Sequence, residues 1–240
     1  MNFNVCAFTK IGSSKTKNDD RVLVCNKIYS EGIVNLENLD SVFAFVADGI
    51  GGSNAGDFAS EFVLQQILNE QEEINIPDKK GIELLLHDIN NKLLEKCKNN
   101  INLLGAGTTL AGLILKPDNY LCLSVGDSQI WFGRNNDLFK LSKDQVLDDK
   151  PNSPLISYFG GVGNKMLPEF YDTISELRDG DLFLICSDGL LKTISFQMIK
   201  SILFSSQPIS LKLNEIHKSV CKFQNIDDVS CILIQINDSE

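Results

Sequence analysis

Five aspartates, Asp20, Asp48, Asp127, Asp188 and Asp227, each stand at the edge of an apolar run, and three of them have a glycine directly beside them. A carboxylate at the end of a buried strand does nothing for folding, because leaving it unpaired costs several kcal/mol. Carboxylates gathered in one place also repel one another, and divalent cations remove that repulsion. Ligands that are all oxygen suit magnesium or manganese rather than zinc. Adjacent glycines let the backbone turn tightly and bring a carbonyl close to a ligand. Two such ions roughly 3.5–4 Å apart can bridge a water, make it a nucleophile at neutral pH and offset the charge of a phosphate ester. Taken singly, each acid also has a plainer explanation. Asp48 could cap a turn, and Asp19 and Asp20 lie in a polar loop with Lys15 and Lys17.

Elements that could position these acids can be read from the hydrophobic pattern. Residues 2–10 alternate and predict a first strand, 11–20 a polar loop and 21–26 a second strand. Residues 29–41 read as a polar connection leading to a buried strand over 42–47, which halts at Asp48-Gly49-Ile50-Gly51-Gly52. A helix then begins, with Ser53 or Asn54 as its cap, and runs to about Leu68; a second spans Asp78 to about Cys97 with Asp78 as its cap. Short apolar segments at 105–115, 120–125, 129–133 and 137–141 predict an antiparallel meander, and Gly126-Asp127-Ser128 falls between two of them. Residues 142–168 hold three prolines and three glycines and read as a functional loop. A buried strand over 181–186 ends at Ser187-Asp188-Gly189, helices follow over 190–204 and 209–223, and Asp227-Asp228 precede a last strand over 229–236. The order is α+β, and two antiparallel sheets sandwiched between helices accommodate it.

Bulk properties narrow the field. The chain has 240 residues, enough for one large domain or two small ones, with 43% hydrophobic and 22% charged residues and no repeat. A net charge of −10 argues against nucleic acid as the main partner. Seven scattered cysteines without a CxxC pair indicate neither a zinc site nor a disulfide framework. No signal-like start and no apolar run of membrane-spanning length is present, so a soluble, cytoplasmic protein is expected. His87 and His217 flank helical apolar stripes and read as structural.

The ordered set of motifs resembles the metal-dependent protein phosphatases of the PPM family (type 2C), in their compact bacterial form. The family's opening G-x-x-R-x-x-N-[ED]-D is similar to Gly12–Asp20, with Lys15 at the arginine position. Its DGxGG…G…AS corresponds to Asp48–Gly52, Gly56 and Ala59-Ser60; its G-[ST]-T to Gly107-Thr108-Thr109; and its GDSR to Gly126-Asp127-Ser128-Gln129. A flap segment matches Ile156–Gly160, SDG matches Ser187-Asp188-Gly189, and the closing DN-x-[ST] matches Asp227-Asp228-Val229-Ser230.

That resemblance implies a single domain over 1–240, a four-layer α-β-β-α sandwich with a flap-like loop at about 142–168. It implies that Asp48 bridges two Mn²⁺ or Mg²⁺ ions, with the Gly49 carbonyl on one. Asp188 and Asp227 would complete one ion, and Asp20 with Asp19, through water, the other; Asp127 with Asp188 would hold a third, weaker ion. Lys15 would bind the phosphate. The implied reaction is hydrolysis of phosphoserine and phosphothreonine in proteins by direct attack of water. The implied partners are phosphorylated proteins, a separately encoded kinase or that kinase's targets, and a monomer is expected.

Four departures from the pattern bear on this. Lys15 supplies charge but no bidentate fork, and Lys17 is a candidate substitute for it. Ile50 stands where some members have a histidine acid, leaving protonation of the leaving group to a water. Gln129 and Tyr158 replace arginines, and Asp228 replaces asparagine. Rival mechanisms fit less well. Asp179-Gly180-Asp181 precedes its strand instead of following it, Cys186 has Lys192 where a cysteine phosphatase has arginine, and no GxSxG motif exists. The alternative from another class is a catalytically silent PPM-like module that binds phosphoproteins, favoured only by the change at Lys15.

Overall fold

The computed structural model describes residues 1–50, 55–74, 76–117, 119–148, 150, 153–161, 163–223 and 227–238. Two six-stranded antiparallel sheets lie face to face. One has the order β11-β10-β14-β15-β1-β4, built from Asp137–Lys140, Gln129–Arg134, Leu182–Cys186, Val229–Asn237, Asn2–Lys10 and Gly32–Leu39. The other has the order β13-β9-β8-β5-β2-β3, built from Glu169–Tyr171, Asn119–Val125, Leu110–Lys116, Val42–Ala47, Arg21–Val24 and Lys27–Tyr29. A small third sheet joins β6 (Gly49–Ile50), β7 (Gly107–Thr108) and β12 (Phe159–Gly160).

Side-chain alternation explains why the central strands are apolar on both faces. In β5, Val42, Ala44 and Val46 meet the opposite sheet, while Phe43, Phe45 and Ala47 meet the helices. In β15, Ile232, Ile234 and Ile236 point to the centre and Cys231 and Leu233 outward. Helices α1 (Gly56–Asn69) and α2 (Lys79–Asn99) cover one sheet through Ala59, Val63, Ile67, Leu86, Ile89 and Leu93. Helices α3 (Asp188–Thr193), α4 (Phe196–Leu203) and α5 (Ile209–Cys221) cover the other through Leu190, Ile199, Leu203, Leu213 and Ile216. The result is the expected α-β-β-α sandwich.

Several boundaries differ from the sequence expectation. The meander is two hairpins: β8 and β9 pair in one sheet, β10 and β11 in the other, so the chain changes sheets at Gly126-Asp127-Ser128. The strand expected over 105–115 breaks at Thr109, and the helix expected over 190–204 begins at Asp188 and breaks around Ile194-Ser195, where the Ser195 hydroxyl caps α4. The polar connection over 29–41 contains β4, an edge strand whose outer face is exposed, which is why its pattern reads as polar. Asp78 caps α2 by accepting from the Gly81 N–H at 2.8 Å. The proposed caps Ser53 and Asn54 lie outside the described residues. All seven cysteines are free thiols. Among the described residues no helix is long and apolar enough to cross a membrane.

Candidate active site

Strand register brings the five acids to one rim. Arg21 pairs with Ala47, so Asp20 just before β2 and Asp48 just after β5 are neighbours. Val46 pairs with Ala111 and Leu110 with Val125, which aligns Asp48, Thr109 and Gly126 across three strands. In the facing sheet Gln129 pairs with Cys186 and Cys186 with Cys231, which sets Asp127, Asp188 and Asp227-Asp228 side by side. One of the hydrogen bonds that join the two sheets here runs from the Ser187 hydroxyl to Asp20 Oδ2 at 2.8 Å.

Each motif around the acids holds one of them. The Asp48 carbonyl accepts from Thr109 N–H at 2.9 Å and from the Thr108 hydroxyl at 3.0 Å, and Asp48 N–H donates to Thr109 Oγ1 at 3.1 Å. Thr109 Oγ1 lies 2.7 Å from Ser128 Oγ, which ties the Asp48 turn to the Asp127 turn. Ser60 donates to the Asp19 carbonyl at 2.6 Å. Ser230 N–H donates to Ser187 Oγ at 2.9 Å, and the Asn18 amide donates to Thr9 while its oxygen accepts from Asp20 N–H. Two glycines are demanded by close approach. A Cβ on Gly49 would sit 2.4 Å from the Gly56 carbonyl oxygen, and one on Gly189 would sit 2.0 Å from that of Asp228.

Asp228 emerges as the anchor of the 11–20 loop. Its carboxylate is 1% exposed and accepts from Gly12 N–H at 2.8 Å, Asp19 N–H at 2.7 Å and Lys15 Nζ at 2.9 Å. Lys15 Nζ also lies 3.2 Å from Asp227 Oδ1 and 3.3 Å from Asp19 Oδ2. Lys192 Nζ lies 2.5 Å from Asp188 Oδ2 and 3.3 Å from Asp227 Oδ2. Neither Asp228 nor Lys192 stands out in the sequence as a site residue; the only hint for Asp228 is its departure from the asparagine pattern. Lys17, exposed, pairs with Asp57 at 3.5 Å. Tyr158 packs over Gly107 and Gly161, and Gln129 donates to Asp144.

The electrostatics are those of an acid cluster short of cations. Burial pushes Asp20 up to about 7, with Asp228 and Asp227 adding to it. Burial and then the charges of Asp20, Asp188, Asp127 and Asp227 push Asp48 well above the carboxylate range. Asp127 rises to about 6 through burial and Asp188, and Asp188 rises through burial despite Lys192. For Asp227 burial acts upward, but Lys15 and Lys192 together hold it below its ordinary value.

Among the described residues, Asp20 Oδ1 and Asp188 Oδ1 are buried with no hydrogen-bond partner. Orphaned carboxylate oxygens of this kind fit hard divalent ions. Among the described residues the acids are not drawn into a ready-made cage of three or more ligands, as expected for carboxylates that repel one another and share two ammonium groups.

The model of the family "Protein phosphatase 2C" matches residues 14–220. The chain belongs to the protein phosphatase 2C family. It is 27% identical over 227 residues to the serine/threonine phosphatase stp of Listeria welshimeri, covering 84% of this chain and 87% of the relative. It is 24% identical over 254 residues to the protein phosphatase PhpP of Streptococcus pneumoniae, covering 98% of both. The fold of this family member is that of the Staphylococcus aureus serine/threonine phosphatase Stp1, with a TM-score of 0.81 at 20% identity over 98% of this chain and 95% of the other. The Streptococcus agalactiae serine/threonine phosphatase superposes with a TM-score of 0.80 at 20% identity, over 98% and 100%.

Proposed function

We propose that this 2C-family chain is a Mn²⁺- or Mg²⁺-dependent protein phosphatase that hydrolyses phosphoserine and phosphothreonine, with a water and no protein side chain as the nucleophile. The observation that carries this reading is the convergence of Asp20, Asp48, Asp127, Asp188 and Asp227 on one rim, with Asp20 Oδ1 and Asp188 Oδ1 buried and without a hydrogen-bond partner among the described residues. Divalent ions, when bound, supply the Lewis acidity that activates water and offset the charge of the phosphate ester. Asp48 and the Gly49 carbonyl, Asp188 and Asp227, and Asp19 and Asp20 are the groups that would hold two of them; Asp127 with Asp188 is the remaining pair. Lys15, at the edge of the cluster beside Asp19 and Asp227, is placed to attract the phosphate as a point charge. Ile50 has no proton to give, so the leaving alkoxide takes its proton from water. The relatives' names support phosphoprotein substrates, and a separately encoded kinase or its targets follow from the same analogy. We assign residues 1–240 to one domain, residues 142–168 to a flap beside the site, and the chain to a monomer acting in the cytoplasm.

The test is hydrolysis of p-nitrophenyl phosphate and of a phosphothreonine peptide with Mn²⁺, with Mg²⁺ and with EDTA. Manganese-dependent turnover abolished both by EDTA and by Asp48→Asn is expected. Turnover that persists in EDTA would contradict the reading, and absent turnover with metal still bound would favour the silent phosphoprotein-binding module.

A further inference from the structure

Lys192 follows Asp188 by one turn of α3, so its side chain shares a helix face with that carboxylate. Its ammonium contacts Asp188 at 2.5 Å and Asp227 at 3.3 Å. It also lines a cleft of about 300 Å³ together with Asp127, Asp144, Asp148, Asp188 and Lys150, whose own ammonium pairs with Asp148 at 2.9 Å. One positive charge therefore already stands against Asp188 Oδ2, in the cleft that Asp127 also lines, while Asp188 Oδ1 stays buried without a hydrogen-bond partner among the described residues. A divalent ion drawn to Asp127 and Asp188 would have to displace the ammonium or sit beside it, and like charges at such separations repel strongly in a partly desolvated site. The ammonium is covalently attached and pays no translational cost to be there. Lysine suits the task, being a compact point charge on a flexible stem.

We propose that Lys192 is a tethered cation that takes the outer position between Asp127 and Asp188, so that this chain holds two divalent ions and needs no third. The proposal rests on the metal-centre reading above, and the experiment separates the two. The metal-depleted 240-residue protein is dialysed to equilibrium against Mn²⁺, and bound manganese is counted for the wild type, Lys192→Met, Lys192→Gln, Asp127→Asn and Asp48→Asn. The side chain of Lys192 is 44% exposed, so both lysine variants are expected to fold, and circular dichroism checks it.

The expected count is two ions for the wild type and for Asp127→Asn, and three for both lysine variants. Adding Asp127→Asn to Lys192→Met should return the count to two. Three ions on the wild type, falling to two in Asp127→Asn, would overturn the proposal while leaving the metal centre intact. Two ions on the lysine variants as well would also overturn it. A wild-type count that Asp48→Asn leaves unchanged would overturn the underlying reading and this inference with it.

Discussion

At the scale of single residues, Lys15 and Asp228 act as a pair. A lysine stands where the family pattern has arginine, and an aspartate where it has asparagine. The structure joins the two at 2.9 Å, with Asp228 also holding the N–H groups of Gly12 and Asp19. An asparagine there would turn an N–H₂ group toward some of these donors and leave at least one unpaired. Asp228→Asn should therefore lower stability by about 2–3 kcal/mol, a cost typical of unpaired buried hydrogen-bonding groups and broken charge pairs. Thermal unfolding would register this as a drop of several degrees, and an unchanged midpoint would contradict the anchor role. Lys15→Ala should lower kcat/KM for a phosphothreonine peptide by roughly 10–100-fold, the scale of one charge-assisted hydrogen bond. The effect should concentrate on phosphate recognition, leaving manganese binding in place.

At the scale of elements, the rim is built by register and by glycine. The chain enters α3 at Asp188 with Gly189 pressed against the backbone of Asp228, closer than any Cβ permits. Gly189→Ala should push α3 away from the start of β15, costing about 1–3 kcal/mol as overpacking does. It should also weaken Mn²⁺ binding, because Asp188 and Asp227 separate; calorimetric titration checks this, and wild-type affinity would contradict it. These elements were largely legible in the sequence, since β2, β5, β14 and β15 are apolar runs that end at Asp-Gly or begin after Asp-Asp. Less legible was the assignment of strands to sheets. Nothing in the local pattern around Gly126-Asp127-Ser128 says that β9 and β10 belong to different layers, because a turn reads the same whether its flanking strands pair or part. Edge strand β4 escaped because five of its eight residues are exposed and resemble a loop. Lys192 was illegible because its significance depends on the helical turn that aims it at Asp188, and a lysine on a short helix usually means only a solvated face.

At the scale of the whole molecule, the two large sheets and the helices that cover them hold a rim of like charges that folding by itself does not favour. Asp20 titrates near 7 and Asp127 near 6, against an ordinary value of 3.8 for both. Between those values the folded chain binds protons more tightly than the unfolded one, so metal-free stability falls as pH rises from about 4 to 7. Metal-depleted protein should accordingly melt at a higher temperature at pH 5 than at pH 8, and a midpoint rising with pH would contradict it. Manganese should reverse this at pH 8, because ions that bind only the folded state stabilise it and compete with protons for the same oxygens. The α-β-β-α architecture was expected from the order of elements and from motifs spread along the chain. The anchoring network of Thr9, Asn18, Thr109, Ser128 and Ser187 was not, because small polar residues acquire roles only when distant strands bring them together. The most direct test of the metal centre is anomalous diffraction at the manganese edge from crystals grown with Mn²⁺. Two peaks roughly 3.5–4 Å apart, both about 2.1 Å from Asp48 oxygens, are predicted. Peaks elsewhere, with Asp48 contacting none, would contradict the account.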